Sequence, residues 1–171
     1  MFLQSDNIVL RALEPEDLDF LYTLENDASL WGTTNTVSPY SKYELKQYIA
    51  SSPRDIYTQG QLKLIIERKV DGERLGLLDL FNFDYHNSRL EVGIIISEPF
   101  RRSGYALEAL QQAREYVFGF LHLHQIYCHI PVGNTASESL FTKAGYKKTA
   151  LLQSWIKSKE NWIDVEVFQL Q

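Results

Sequence analysis

With 171 residues, the chain has room for a single domain spanning 1–171 and a sizeable core. Its 44% hydrophobic and 23% charged residues are ordinary for a soluble globular protein. A net charge of -5 argues against nucleic acid as the main partner and suits a cationic one, although mild acidity also serves solubility alone.

The N-terminal segment, Met1 to Asp6, has neither the basic region nor the apolar core of a signal peptide. No apolar run is long enough to cross a bilayer, so a cytoplasmic location without a membrane partner is expected. Ile8 to Leu13 reads as a strand carrying Arg11. Glu14-Pro15-Glu16-Asp17 opens a helix, because proline suits the first turn and acids suit its positive end. Leu18, Leu21, Tyr22 and Leu24 supply that helix's apolar side. Residues 28–40 read as a loop holding Trp31. Ser41 and Glu44 form a capping box before a second helix with Leu45, Tyr48 and Ile49. Gln61 to Lys69 and Leu75 to Phe83 are strands joined at an Asp71-Gly72 turn.

Asp84 to Ser88 turns the chain into its central stretch, Leu90 to Leu110. That stretch opens as an apolar, β-branched run, which reads as a buried strand ended by Pro99. Arg101-Arg102-Ser103-Gly104-Tyr105-Ala106 follows, and then a helix with Ala106, Leu110, Ala113, Val117 and Leu121 on one side. The first N–H groups of such a helix lack intrahelical partners, and its dipole favours anions. Gly104 lets backbone approach a ligand closely.

Gln125 to Ile130 is a further strand, and Cys128 within it reads as a small buried hydrophobe. As the only cysteine, Cys128 can form no intrachain disulfide and no cysteine-based zinc site. Asn134 to Ala144 reads as a helix, with Gly145 placed to cap its end. Tyr146 to Ile156 and Trp162 to Leu170 form a last pair of strands, with turn residues at Lys157 to Asn161. His86, His122, His124 and His129 make no metal-ligating pattern, and no metal is expected.

Arg101-x-x-Gly104-x-Ala106, after a strand and before a helix, resembles the acyl-CoA pyrophosphate loop of the GNAT superfamily of N-acetyltransferases. Asn134-x-x-Ser137-x-x-Leu140-x-x-Lys143-x-Gly145-Tyr146 resembles that family's second signature. Ile8 to Leu18 is similar to the opening of the branch that holds ribosomal-protein N-terminal acetyltransferases and spermidine acetyltransferases. The element order agrees over the whole length. The resemblance implies an α+β fold: a mixed, mostly antiparallel twisted sheet of about seven strands, flanked by four helices in three layers.

It also implies acetyl-CoA as acetyl donor and direct attack by a primary amine in a ternary complex. A protein N-terminus, a polyamine or another small amine could be the acceptor, and a homodimer or higher oligomer is open. The rival is a CoA-binding module without transfer activity. Backbone at Ile94, Ile95 and Ile96 would hold the pantetheine arm, Arg101 to Ala106 the pyrophosphate, and Asn134 the arm again. Asn134 can equally be an N-cap, or both. Gly93 suits either a strand bulge or close packing.

Glu91 interrupts an apolar strand and matches a glutamate that takes the amine's proton in several relatives. Burial would raise its pKa, which suits that task; an ion pair with Arg89 is the alternative. Many relatives carry a proton-donating tyrosine where this chain has Phe141. Ser137, on the same helix side, is the substitute acid, or else a hydroxyl bonded to backbone. Tyr105, Tyr127 and Tyr146 are other hydroxyls. Trp31, Tyr40, Phe83 and Tyr85, with Tyr43, could line the acceptor pocket. Spermidine enzymes place acids between the first two helices, whereas Thr33 to Pro39 has none.

Overall fold

The computed structural model of the chain describes residues 2–31, 36–51, 56–158 and 160–171. Its strands are β1 (Ile8–Arg11), β2 (Leu62–Arg68), β3 (Arg74–Asp84), β4 (Arg89–Ile96), β5 (Gln125–Pro131), β6 (Lys147–Lys157) and β7 (Trp162–Leu170). The helices are α1 (Leu18–Glu25), α2 (Lys42–Ser51), α3 (Ile56–Gln59), α4 (Tyr105–Glu115) and α5 (Thr135–Lys143). The seven strands make one sheet in the order β1-β2-β3-β4-β5-β7-β6. Only β4 and β5 pair in parallel; all other neighbours are antiparallel.

The expected sheet is present, and so are the four expected helices. α3 is an addition: four residues are too few to carry a periodic pattern. The Glu14 to Asp17 opening is a tight 3-10 turn, Pro15–Asp17, that leads into α1. α4 ends in one π-helical turn, Tyr116–Phe120, rather than running straight to Leu121. Ser41 and Glu44 cap α2 reciprocally: the Glu44 N–H donates to Ser41 Oγ at 3.1 Å, and the Ser41 N–H to Glu44 Oε2 at 2.8 Å. Gly145 ends α5 at φ +94°, a conformation that costs glycine least.

Alternation along the strands divides the core into two layers. Leu78, Leu80, Leu90, Val92, Ile126 and Ile130 pack with Ala109, Leu110 and Ala113 of α4 and Phe141 of α5. On the other face Ile65 and Leu77 pack with Leu21 and Leu24 of α1 and Leu45 and Ile49 of α2. Cys128 is buried in the first layer, as expected.

An ion network pins the chain's start to the sheet. Asp17 is fully buried. Its carboxylate accepts from Arg11 Nη1 at 2.7 Å, Arg74 Nε at 2.5 Å and the Glu14 N–H at 2.8 Å. Burial pushes the Asp17 carboxyl up, but these donors outweigh it and hold the pKa at about 2. A depressed folded-state pKa adds stability above pH 3.8, and that stability is lost as pH falls toward 2. Wild type should therefore lose about 2 kcal/mol between pH 5 and pH 2 that Asp17→Asn does not lose, read by urea denaturation at each pH.

β3 and β4 approach closely at Gly76. A Cβ there would lie 2.0 Å from the Ile95 carbonyl oxygen. Gly76→Ala should cost about 2 kcal/mol or more in denaturant midpoint stability, because backbone on both strands must move.

Candidate active site

The parallel ladder between β4 and β5 holds only three pairs: Arg89↔Gln125, Leu90↔Ile126 and Glu91↔Tyr127. β4 continues to Ile96, still paired with β3, and β5 continues to Pro131, still paired with β7. Beyond Glu91 the two strands therefore face each other without ladder bonds. Buried backbone groups require partners. A cleft of about 560 Å³ fills the gap, lined by Gly93, Ile94, Ile95, His129, Ile130 and Pro131 among others. An extended arm with its own amides fits there, as an added strand would.

Gly93 makes no bulge. The β3–β4 register runs unbroken through Asp79↔Gly93. Gly93 instead keeps the cleft wall thin: a Cβ there would meet the Phe81 ring at 3.4 Å. The irregularity lies on β3, between Phe81 and Asp84, where Asn82 has φ +50°. Asparagine tolerates that region better than most residues.

This bulge aims Asn82 at Glu91. Asn82 Nδ2 donates to Glu91 Oε2 at 2.8 Å, and His129 Nδ1 meets Glu91 Oε1 at 2.6 Å. Glu91 is only 7% exposed. Arg89 pairs with Asp84 at 3.1 Å instead, so the partners of Glu91 are His129 and Asn82. The hydrogen bond to Glu91 raises the His129 pKa despite opposing burial. Burial, and then the Glu91 charge, push the Cys128 thiol up. Tyr127 lies edge-on to the His129 ring at 5.7 Å, its pKa raised by burial.

Reading residues singly misses His129 and Asn82. The signal for His129 lay in strand register: a parallel pair at Glu91↔Tyr127 puts residue 129 on the Glu91 face, just past the last ladder bond.

α5 supplies the cleft's other wall. Asn134 is its N-cap, with Oδ1 accepting from the Ser137 N–H at 3.2 Å. Asn134, Ser137 and Phe141 all line the cleft. The Tyr146 ring meets the Phe141 ring edge-on at 5.0 Å; its buried hydroxyl has no hydrogen-bond partner among the described residues, and Tyr146 does not line the cleft.

At the α4 end, Arg101 folds back so that Nε donates to the Ile96 carbonyl at 3.0 Å. Arg102 takes φ +63° and Gly104 φ +87°, and Gly104 is the N-cap of α4. Arg101, Arg102, Ser103 and Gly104 are exposed, and a Cβ at Gly104 would meet nothing within 4 Å. The loop presents α4's orphan N–H groups and two guanidinium groups to solvent. That donor set suits a diphosphate. Tyr105 and Ala106 are half-buried.

A second, smaller pocket of about 290 Å³ adjoins the cleft through Gln61 and Lys63, which line both. Leu21, Glu25, Tyr40, Glu44, Leu45 and Tyr48 complete it. Lys63 Nζ lies 2.5 Å from Glu25 Oε1 and 3.2 Å from Asp79 Oδ2. Burial disfavours the Lys63 charge, but Asp79 and Glu25 outweigh it and raise the pKa. Burial likewise raises the Asp79 carboxyl, against the pull of Lys63.

Of the aromatics expected at the acceptor site, Tyr40 lines this pocket. Trp31 does not: its indole N–H donates to the Glu25 carbonyl at 3.0 Å. Phe83 and Tyr85 cluster with Tyr57, with ring centroids 5.2 to 6.4 Å apart, and line neither pocket. Tyr43 is exposed on α2. Thr33, Thr34 and Asn35 of the acid-free segment lie outside the described residues. Among the described residues no three His, Cys, Asp or Glu side chains gather as a metal site. No described helix is long and apolar enough to cross a membrane.

Comparison with known proteins agrees with this geometry. The sequence model of the Acetyltransferase (GNAT) domain matches residues 7–147. The chain is 30% identical to spermidine N(1)-acetyltransferase of Escherichia coli (strain K12) over 144 residues, covering 82% of this chain and 73% of that protein. It is 28% identical to the uncharacterized N-acetyltransferase p20 of Bacillus licheniformis, covering 98% of this chain and 94% of p20. The crystal structure of spermidine N-acetyltransferase from Vibrio cholerae in complex with CoA and spermine superposes with a TM-score of 0.87 at 25% identity, covering 97% of this chain and 96% of that one. With a family match over most of its length, the chain belongs to the GNAT acetyltransferases, enzymes that move an acetyl group from acetyl-CoA to an amine.

Proposed function

We propose that this chain, as a single domain over 1–171, acetylates a small cationic primary amine of the polyamine class. The observation that carries the reading is the unpaired β4–β5 cleft, which holds buried Glu91 and lies along the strand that runs on into the α4 loop. Acetyl-CoA, when bound, supplies a thioester carbonyl open to attack by an amine. Backbone at Ile94, Ile95 and Ile96 holds the pantetheine arm, and Arg101, Arg102, Ser103, Gly104, Tyr105 and Ala106 surround the diphosphate. Asn134 adds a polar contact from the opposite wall. The Glu91–His129 pair receives the amine's proton, and Ser137 is a hydroxyl within reach of the same space.

The acceptor enters from the smaller pocket. Two acidic side chains, Glu25 and Glu44, line it, and Asp79 of the adjoining cleft joins Glu25 in pairing with Lys63, the one ammonium among the lining residues. Tyr40 and Tyr48 flank them, and aromatic faces favour cations. These acids stand in for the ones missing between Thr33 and Pro39. The spermidine acetyltransferases among the relatives support the same acceptor class.

A thiol-release assay with acetyl-CoA tests the acceptor. Spermidine and spermine should exceed a monoamine of equal chain length in kcat/KM by about fivefold or more, the worth of about 1 kcal/mol of charge pairing. A peptide with a free N-terminus used as well as spermidine would overturn the polyamine assignment. For the loop, Gly104→Val should weaken acetyl-CoA binding about tenfold or more by calorimetry, since it strains a φ of +87° and fills the cradle.

A further inference from the structure

The reaction moves one proton from the attacking nitrogen to the departing sulfur. The side chains that could carry it are those lining the cleft. Lys63 and Asp79 are engaged with each other. Cys128 is buried, with its thiol pushed away from ionisation. Phe141 has no proton to give, and Tyr146 does not line the cleft. Ser137 lines the space, but an alcohol neither gains nor loses a proton readily near neutrality. Glu91 and His129 remain.

Their geometry distinguishes the two. Glu91 is buried, with one oxygen on Asn82 and the other on His129. An ionised carboxylate only accepts, so His129 Nδ1 carries the proton of that bond. His129 Nε2 has no hydrogen-bond partner among the described residues. The ring stands where β4 and β5 have just parted, its side chain 33% exposed to the cleft side of the sheet. Elements packed around it bring few competing charges. β4 brings Glu91, β5 brings Tyr127 and the buried Cys128 thiol, and β7 brings Val167 as strand partner; β3 brings neutral Asn82 and, in the same cleft, Asp79, which is paired with Lys63 of β2.

We propose that His129 is the proton carrier of this enzyme and that Glu91, fixed by Asn82, is the residue that positions and charges it. This rests on the acetyltransfer reading above. As the C–N bond forms, Nε2 accepts the proton that the nitrogen loses. As the C–S bond breaks, the electron pair stays on sulfur and Nε2 returns the proton there. Amine and thioester become amide and free thiol, with no oxidant, reductant or second acid. A histidine suits both halves because its charge changes near neutrality, and the adjacent carboxylate favours the intermediate imidazolium.

Steady-state kinetics with spermidine and an NMR titration of protein free of acetyl-CoA test this together. His129→Gln should lower kcat about a hundredfold or more, while acetyl-CoA affinity by calorimetry stays within about twofold. His129→Ala should fall similarly and recover part of its rate with added imidazole. In the NMR arm, the His129 ring should titrate above the ordinary histidine range, and Glu91→Gln should move that titration to lower pH. The same ionisation should appear in wild-type kcat/KM and vanish in His129→Gln. His129→Gln at wild-type rate in a folded protein would overturn the proposal while leaving the acetyltransfer reading intact. A titration unmoved by Glu91→Gln would overturn the positioning role. Wild-type protein that binds acetyl-CoA yet releases no thiol with any amine would overturn both readings.

Discussion

Everything at this site follows from one interrupted ladder. β4 and β5 pair in parallel for three residues and then part, while each keeps its other neighbour. Parallel pairing is only slightly weaker per residue than antiparallel, so a gap costs the sheet several hydrogen bonds. The cost is tolerated because β3 and β7 hold the outer edges in register. α4 and α5, packed on one face, take up the space that a continuous sheet would leave flat. The gap puts backbone donors, a helix N-terminus and a buried carboxylate along one path.

Within that path, charge is handled in two ways. Glu91 sits at the apex of the parting, beside the only histidine on β5, and shares its charge with that ring. Glu25 and Asp79 meet a lysine on the neighbouring strand. Glu91 is buried and Glu25 and Asp79 are half-buried, and each carboxylate has a partner that offsets its loss of solvent. In the proposed assignment the first pair moves a proton and the second sets the charge of the acceptor's entrance.

Features carried by short-range spacing were legible in the chain. Arg101 to Ala106, the Asn134 cap, the Gly145 stop and the Ser41–Glu44 box each depend on residues within one or two turns. Features carried by register were not. The Glu91–His129 contact spans 38 residues, and it required knowing that Glu91 pairs with Tyr127. Asn82 reaches Glu91 at a β3 bulge, and Phe83 and Tyr85, just past it, cluster with Tyr57 and line neither pocket, although they were expected at the acceptor pocket. Counting back from the Asp71-Gly72 turn would misplace Lys63 by one residue, because the β2–β3 register shifts between Ile66 and Glu67. Trp31 found the end of α1, a partner that hydrophobicity does not announce.

Lys63 is itself a primary amine on a flexible stem, lodged in an enzyme that acetylates primary amines. Attack on a carbonyl needs a nitrogen lone pair, and Glu25 and Asp79 keep this nitrogen protonated by raising its pKa. The clamp that helps hold the sheet thus also makes its lysine a non-nucleophile. In the proposed assignment, the acceptor's entrance thus holds an amine of the substrate's own class in the protonated form that cannot attack.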